Sequence, residues 1–381
     1  MACALRVVEK GGEGLMKTIV ISAVNLVEAG TLTILKDSLS YLSALAQQGE
    51  YRIVAVVYKK SLVDFPNIEY IETQWPKKRW INRLWYEYVS MRSISKKIGP
   101  VYLWFSLHDT TPAVVAERRA VYCHNAFPFY RWKMHDLLFS PKIVLFALFS
   151  KYIYRPNIHA NKYIVVQQEW FRKGLHDMFG INKNKIIVTP PAHPRLISPS
   201  GVDSKNSWYS FVFASSPNSH KNFEVICKAA EMLQKEGIVD FKVHLTVKGN
   251  ENRYAKWLHK NWGHLPTVDF MGFVTRQVLE EYYCASDCLI YPSRVESWGL
   301  PISEFAQYEK PMLLADLPYA HDTAAGSKAI SFFDTDDAKA LALQMKALIK
   351  GDHSFLKEVR KEPLQEPFSL SWEDLFNKLL R

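Results

Sequence analysis

The chain has no long apolar run, few cysteines and, over one stretch, almost no acid; each shortage narrows what it can be. No apolar run approaches the roughly 18 residues that a membrane-spanning helix needs. The longest candidate is IVLFALF at 143–149. The opening residues, MACALRVVEKGGEGL, lack the basic-then-apolar layout of a secretion leader; residues 1–15 read as a flexible extension, with Met16 as an alternative start. The 5 cysteines, Cys3, Cys123, Cys227, Cys284 and Cys288, are odd in number and show neither a CxxC pair nor zinc-like spacing. That argues against a disulfide framework and points to a reduced, cytosolic protein. Cys284 and Cys288 are expected on one face of a helix, as small packing residues. With 381 residues, 48% hydrophobic and 23% charged, the chain suits a globular protein of two domains.

What it has in excess is positive charge, +10 net and unevenly spread. In QWPKKRWINRLWYEYVSMRSISKKIGP, residues 74–100, Lys77, Lys78, Arg79, Arg83, Arg92, Lys96 and Lys97 face a single acid, Glu87. Trp75, Trp80, Trp85, Tyr86 and Tyr88 are interleaved with them. FYRWKMHDLLFSPKIVLFALFSKYIYRP, residues 129–156, is again aromatic and basic. Such segments suit an anionic membrane surface. Nucleic acid would be drawn by the same charge and is the less expected partner. A solvated helix that packs its aromatics on its own domain is the plainer alternative.

Apolar runs rich in β-branched residues recur along the first half: KTIVISAV at 17–24, YRIVAVVY at 51–58, VYLWFSL at 101–107, AVYCHN at 120–125, KYIVVQ at 162–167 and KIIVTP at 185–190. Between them lie segments of helical spacing such as TLTILKDSLSYLSALAQQ and EWFRKGLHDMF. The pattern breaks in the polar, turn-rich RLISPSGVDSKNSW, residues 195–208, then restarts from YSFVFAS at 209–215. The reading is α/β, two Rossmann-like domains in sequence, each with a parallel sheet covered on both faces. Ligands of such sheets lie beyond the carboxyl ends of the strands, which puts the expected site in a cleft that the two domains face across.

SRVESWGLPISEF, residues 293–305, carries the clearest chemistry. DCLIYPS before it reads as a strand, RVESWG as the turn at its carboxyl end, and Leu300 to Tyr308 as a helix with Pro301 in its first turn. Gly299 lets the backbone approach a ligand closely, and exposed amides there can hold phosphate oxygens. Glu296 and Glu304 flank that point. Two acceptors around an anion site fit a ligand with hydroxyls on both sides of a diphosphate, the layout of a nucleotide sugar.

With VDFMGFV, EEYYCASDCLIYPS and KPMLLADLPYAHD, this stretch resembles the carboxyl-terminal domain of the retaining glycosyltransferases of family 4, over residues 209–340. The resemblance implies the GT-B fold, with a last helix that crosses back to the N-terminal domain; EPFSLSWEDLFNKLLR supplies it, starting at Ser371 and Asp374. The implied limits are 16–194 plus 367–381 for an acceptor-binding domain, 195–208 for a linker and 209–366 for a donor-binding domain. In the family the first glutamate of the Glu-x7-Glu motif holds donor-sugar hydroxyls, here Glu296, and the second the nucleotide ribose, here Glu304. Ser297, Trp298, Gly299 and Leu300 would hold the diphosphate through their amides. The family's basic pair after the first strand of this domain is half present in ASSPNSHKNFE: Lys221 stands, but Ser216 replaces the arginine, leaving Lys221 and His220 to neutralise the leaving group. Gly272, Phe273 and Val274 would border the base.

In the N-terminal half, His124 matches a histidine that the family sets beside the reacting sugar, with Asn125 next to it. Gly30, in NLVEAG, matches a glycine-rich first loop, and a turn glycine is its plainer alternative. His108 and Asp109, at another strand end, are acceptor-side candidates. No carboxylate stands as a nucleophile, and the one DxD, Asp334 with Asp336, reads as a helix cap in a surface loop far from the Gly-Leu-Pro turn. The expectation is therefore a retaining transferase without cofactor or metal, acting from the cytoplasmic face of a membrane on a lipid-linked or growing surface polysaccharide. A soluble or protein acceptor, and a catalytically silent sugar-nucleotide binder, are the alternatives.

Overall fold

A computed structural model describes residues 16–27, 29–191 and 207–381. The expected extension at 1–15 and nearly all of the expected linker lie outside the described residues. Two sheets are present. The first joins β1 (Lys17–Ser22), β2 (Tyr51–Val57), β3 (Ile68–Glu72), β4 (Val101–Ser106), β5 (Arg118–Tyr122), β6 (Tyr163–Val166) and β7 (Ile186–Val188) in the order β3-β2-β1-β4-β5-β6-β7. The second joins β8 (Tyr209–Phe213), β9 (Phe241–Leu245), β10 (Val268–Phe270), β11 (Cys288–Tyr291), β12 (Met312–Ala315) and β13 (Ile330–Phe333) in the order β10-β9-β8-β11-β12-β13. This is the two-sheet parallel α/β architecture that the alternation of runs leads one to expect.

The central strands are buried on both faces, so their sequences are continuous apolar runs rather than alternating ones. Ile19, Val20 and Ile21 of β1 pair in parallel with Ile53, Val54 and Ala55 of β2. In the second sheet β8 lies between β9 and β11, with Phe211 opposite Val243 and Cys288. The helix Phe223–Lys235 covers it, burying Phe223, Ile226, Cys227, Ala230 and Leu233 at helical spacing. β3 escaped the sequence reading because it is an edge strand whose residues are half-buried or exposed, with no solid apolar run to mark it. Cys284 and Cys288 do not share a helix. The helix Arg276–Ala285 stops, Ser286 is extended, and Cys288 is a buried residue of β11.

By compactness the chain divides into two units, one of residues 1–123, 156–164 and 371–381, the other of 124–155 and 165–370. The last helix, Trp372–Leu380, thus belongs with the first β-strands. Ser371 Oγ caps it, accepting from the Asp374 amide at 3.0 Å. Phe376, fully buried, stacks on Tyr41 at 5.5 Å between centroids and meets Phe105 edge-on at 5.9 Å. Tyr102 OH donates to the Leu380 carbonyl at 2.7 Å. Phe376→Ala is expected to cost about 3–5 kcal/mol in urea unfolding; an unchanged midpoint would show that this helix does not hold the unit together.

Candidate functional site

β11 is buried along its length, and the chain leaves it as PSRVESWG before entering the helix Leu300–Phe305. Gly299 makes the turn. Its φ of +90° is left-handed, and a Cβ there would lie 3.3 Å from Ile302 Cδ1 and 3.4 Å from Tyr319 Cε2, so glycine answers a conformational and a steric demand together. Trp298 is buried, its Nε1 donating to Ser303 Oγ at 3.1 Å, and its carbonyl accepts from the Thr323 hydroxyl. The turn that carries Glu296 is thereby braced on both sides.

The loop after β8 carries a short 3-10 turn, Ser219–Lys221, followed by left-handed Asn222. Because β8 and β11 are parallel neighbours, the loops at their carboxyl ends meet. Lys221 Nζ lies 2.5 Å from Glu296 Oε1, and Tyr291 OH donates to the same oxygen at 2.9 Å. Both charged side chains are only 14% exposed; at that burial each ion depends on the other. Burial, followed by the Glu296 carboxylate, pushes the Tyr291 phenol well above its ordinary pKa, so it stays a donor. Asn222 Nδ2 donates to the carbonyls of Pro292, at 3.3 Å, and Thr335, at 2.8 Å, fastening this loop to two others.

Ser216, at the position where the family resemblance calls for arginine, is engaged in a local turn: its Oγ accepts from Asn218 Nδ2 at 2.9 Å. His220 is buried against aromatic rings, with Phe127 edge-on at 5.3 Å and Tyr130 at 6.2 Å. Burial first, then the Lys221 and Arg294 charges, holds its pKa well below the usual imidazole value. It is neutral at pH 7 and brings no charge to a leaving group, contrary to the expectation for it. Gly272 is left-handed at φ +78°, and Phe273 beside it is 93% exposed. Glu304, buried on the second turn, has a partner that the sequence did not disclose: its Oε1 accepts from Arg276 Nη1. Arg276 also holds Glu280 at 2.7 Å. Burial opposes the guanidinium charge, but the bonds to Glu280 and Glu304 outweigh it and raise its pKa.

Of the candidates from the first half, Gly30 lies inside the helix Ala29–Gln47 rather than in a loop. His108 is an interior side chain. Its Nε2 is 2.9 Å from Ser22 Oγ, its Nδ1 is 3.2 Å from Thr110 Oγ1 and 3.0 Å from Glu87 Oε1, and its carbonyl accepts from Arg83. It is fully engaged in a buried network and is not an acceptor-side residue. Asp109 is left-handed, at φ +70°. His124 and Asn125 follow β5, half-buried; Asn125 Oδ1 accepts from the Phe127 amide at 3.0 Å. The DxD is not the expected cap: Asp337 caps the helix Ala338–Ile349, while Asp336 pairs with Lys133 and lies 3.7 Å from Arg294, two residues before Glu296. Among the described residues no three His, Cys, Asp or Glu side chains cluster as metal ligands.

The basic, aromatic segment presents a face. Trp80, Ile81 and Trp85 of the helix Trp80–Trp85 are exposed, Ile81 at 71% and Trp85 at 61%. Lys77, Lys78, Arg79, Arg92, Lys96 and Lys97 are exposed with them, whereas Glu87 is buried against His108. Over residues 75–98 the surface therefore carries no acid. In the other unit the helix Pro141–Tyr154 exposes Leu145, Leu148, Phe149 and Tyr152 along one stripe, flanked by Lys142 and Lys151. No helix among the described residues is long and apolar enough to cross a membrane.

Residues 203–362 match the family model described as glycosyl transferases group 1. Among curated proteins none matches the chain in sequence. Solved structures similar in fold include sucrose-phosphate synthase from Thermosynechococcus elongatus, at 13% identity and a TM-score of 0.64 over 90% of this chain and 92% of that one. Another is the lipopolysaccharide outer core galactosyltransferase WaaB, at 12% identity and 0.60 over 96% and 99%. A third is HepE from Anabaena in complex with UDP-glucose, at 12% identity and 0.59 over 89% and 92%. The fold is thus the GT-B fold of glycosyltransferase structures, and the Lys221–Glu296 pair lies inside the matched segment.

Proposed function

We propose that the protein is a retaining glycosyltransferase of family 4 that moves a hexose-type sugar from a nucleotide-diphosphate sugar to a hydroxyl of a lipid-linked or growing surface polysaccharide. The observation that carries the reading is the Lys221–Glu296 pair at the carboxyl ends of β8 and β11, 2.5 Å apart beside a glycine turn. Glu296 receives hydroxyls of the donor sugar. Lys221 faces the diphosphate, supplying a fixed positive charge where negative charge develops, the kind of preorganised electrostatics that dominates many catalysts. The amides of Ser297, Trp298, Gly299 and Leu300 hold diphosphate oxygens, Glu304 the ribose, and Gly272, Phe273 and Val274 border the base.

The acceptor hydroxyl attacks the anomeric carbon from the face that the diphosphate leaves. The new carbon–oxygen bond forms as the bond to phosphate breaks, and the hydroxyl proton passes to the departing phosphate oxygen. His124 is assigned to the reacting sugar and Asn125 to the acceptor side, both in the unit that holds the Lys221–Glu296 pair, and no cofactor or metal is needed. A galactosyltransferase of lipopolysaccharide and a complex with UDP-glucose among the fold neighbours support the acceptor and donor classes. The acid-free aromatic face at 75–98 supports a cytoplasmic enzyme that rests on an anionic membrane surface.

A thermal-shift panel of UDP-, GDP-, dTDP- and CMP-sugars, with magnesium or with EDTA, is expected to give one clear shift that EDTA does not remove. With that donor, Glu296→Ala and Lys221→Ala are expected to stay folded, with a lowered unfolding midpoint because each leaves its partner unpaired, and to lose about 100-fold or more in turnover; near-normal rates in both would sink the site assignment. The membrane arm is read separately. Vesicles rich in phosphatidylglycerol are expected to sediment the protein, phosphatidylcholine vesicles to leave it in solution, and Trp80→Glu with Trp85→Glu to abolish sedimentation. No sedimentation by either lipid would favour a soluble acceptor.

A further inference from the structure

Three loops of the second sheet meet at one side chain that the proposed chemistry does not use. Arg294 is 10% exposed and stands two residues before Glu296. Its backbone amide donates to the His220 carbonyl at 2.8 Å, and Nη1 reaches the Ser219 carbonyl at 3.4 Å. Nη2 donates to Glu224 Oε1 at 3.2 Å and lies 3.7 Å from Asp336 Oδ1. The first three contacts fasten the turn that ends in Lys221 and the helix it opens; the fourth reaches the loop after β13. Each acceptor is itself held. Glu224 is buried and takes the Tyr254 hydroxyl on its other oxygen, with His135 Nδ1 3.7 Å from Oε1. Asp336 is paired with Lys133.

A planar guanidinium can serve carbonyl, carboxylate and a second carboxylate from one fixed position, which an ammonium on a flexible stem cannot. Lys221 and Glu296 come from two different loops, so their separation is set by whatever locks those loops together. We propose that Arg294 is a positioning residue of the donor site, tying the Ser219–Lys221 turn and Glu224 to the strand end that carries Glu296 and thereby fixing the Lys221–Glu296 geometry. The inference rests on the donor reading of that pair. It assigns to Arg294 a part in turnover that a mere strut of the fold would not have.

The experiment compares Arg294→Met, Arg294→Lys and the double variant Arg294→Met with Glu224→Gln, in the intact chain, with whichever nucleotide sugar the wild type turns over. Removing one partner of a buried pair destabilises, whereas removing both charges relieves the unpaired one. The double variant is therefore expected to regain much of the unfolding midpoint lost in Arg294→Met. Its kcat/KM is expected to stay down by about 10- to 100-fold, chiefly in kcat, because displacement of reacting groups by an ångström has effects of that order. Arg294→Lys is expected to unfold near the wild-type midpoint yet lose about 10-fold in kcat, since it keeps the charge but not the fork. Wild-type kcat/KM in Arg294→Lys, or activity that recovers in step with stability in the double variant, overturns the assignment. A wild type that turns over none of the four classes of nucleotide sugar overturns the donor reading beneath it, a failure that is told apart by occurring before any substitution is made.

Discussion

The ion pair of Lys221 with Glu296 is the constraint around which the second sheet's loops are organised. Two charges at 14% exposure cannot be left apart, because the desolvation of each is offset only by the other and by hydrogen bonds to what remains. Tyr291 supplies one such bond from within β11. Asn222, Gly299 and Trp298 hold the backbone on either side, each through a left-handed turn or a buried bond.

Under the proposed donor reading, the same pair would suit an anion with a hydroxyl-bearing group attached. A lysine ammonium has three donors and no fixed plane, so it can share itself between a carboxylate and a phosphate. The glutamate keeps a second oxygen that Lys221 and Tyr291 do not use. Arg276, at the start of the helix before β11, and Glu304, in the helix after it, repeat the arrangement with a guanidinium in place of the ammonium. The second sheet thus presents carboxylates already oriented by cations, and a diphosphate would compete for those cations rather than meet bare acids. The first unit is built on a different balance: its one acid in the basic segment is drawn inside by His108, which leaves the outside to cations and indoles.

Much of this was legible in the sequence. Apart from the edge strand β3, both sheets follow from apolar runs that need cover on two faces, and the Glu296 turn follows from a glycine and a proline in a fixed order after a strand. Lys221 was singled out by resemblance, and the structure sets it against Glu296. What was not legible arises from contacts between residues distant in the chain. Tyr291 reads as a core strand residue until its hydroxyl is seen on Glu296. Arg276 and Arg294 read as ordinary loop or helix-start cations until Glu304 and Glu224 are found beside them. His108 looked like an acceptor-side group at a strand end because its partners, Ser22 and Glu87, lie 86 and 21 residues away. Asp336 looked like a cap because the true cap is its neighbour, Asp337.

The most direct test of the central claim is calorimetric binding of a nucleoside diphosphate and of the matching nucleotide sugar to the wild type, Lys221→Met, Glu296→Gln and the double variant. If the pair is a shared donor site, Lys221→Met weakens both ligands by about 10-fold or more, as loss of a charge-assisted contact should. Glu296→Gln leaves the diphosphate nearly untouched but removes the added affinity that the sugar confers. The double variant loses less than the sum of the two, because the residues act through one another. Wild-type affinities in both single variants would contradict the claim and reduce the pair to a brace of the fold.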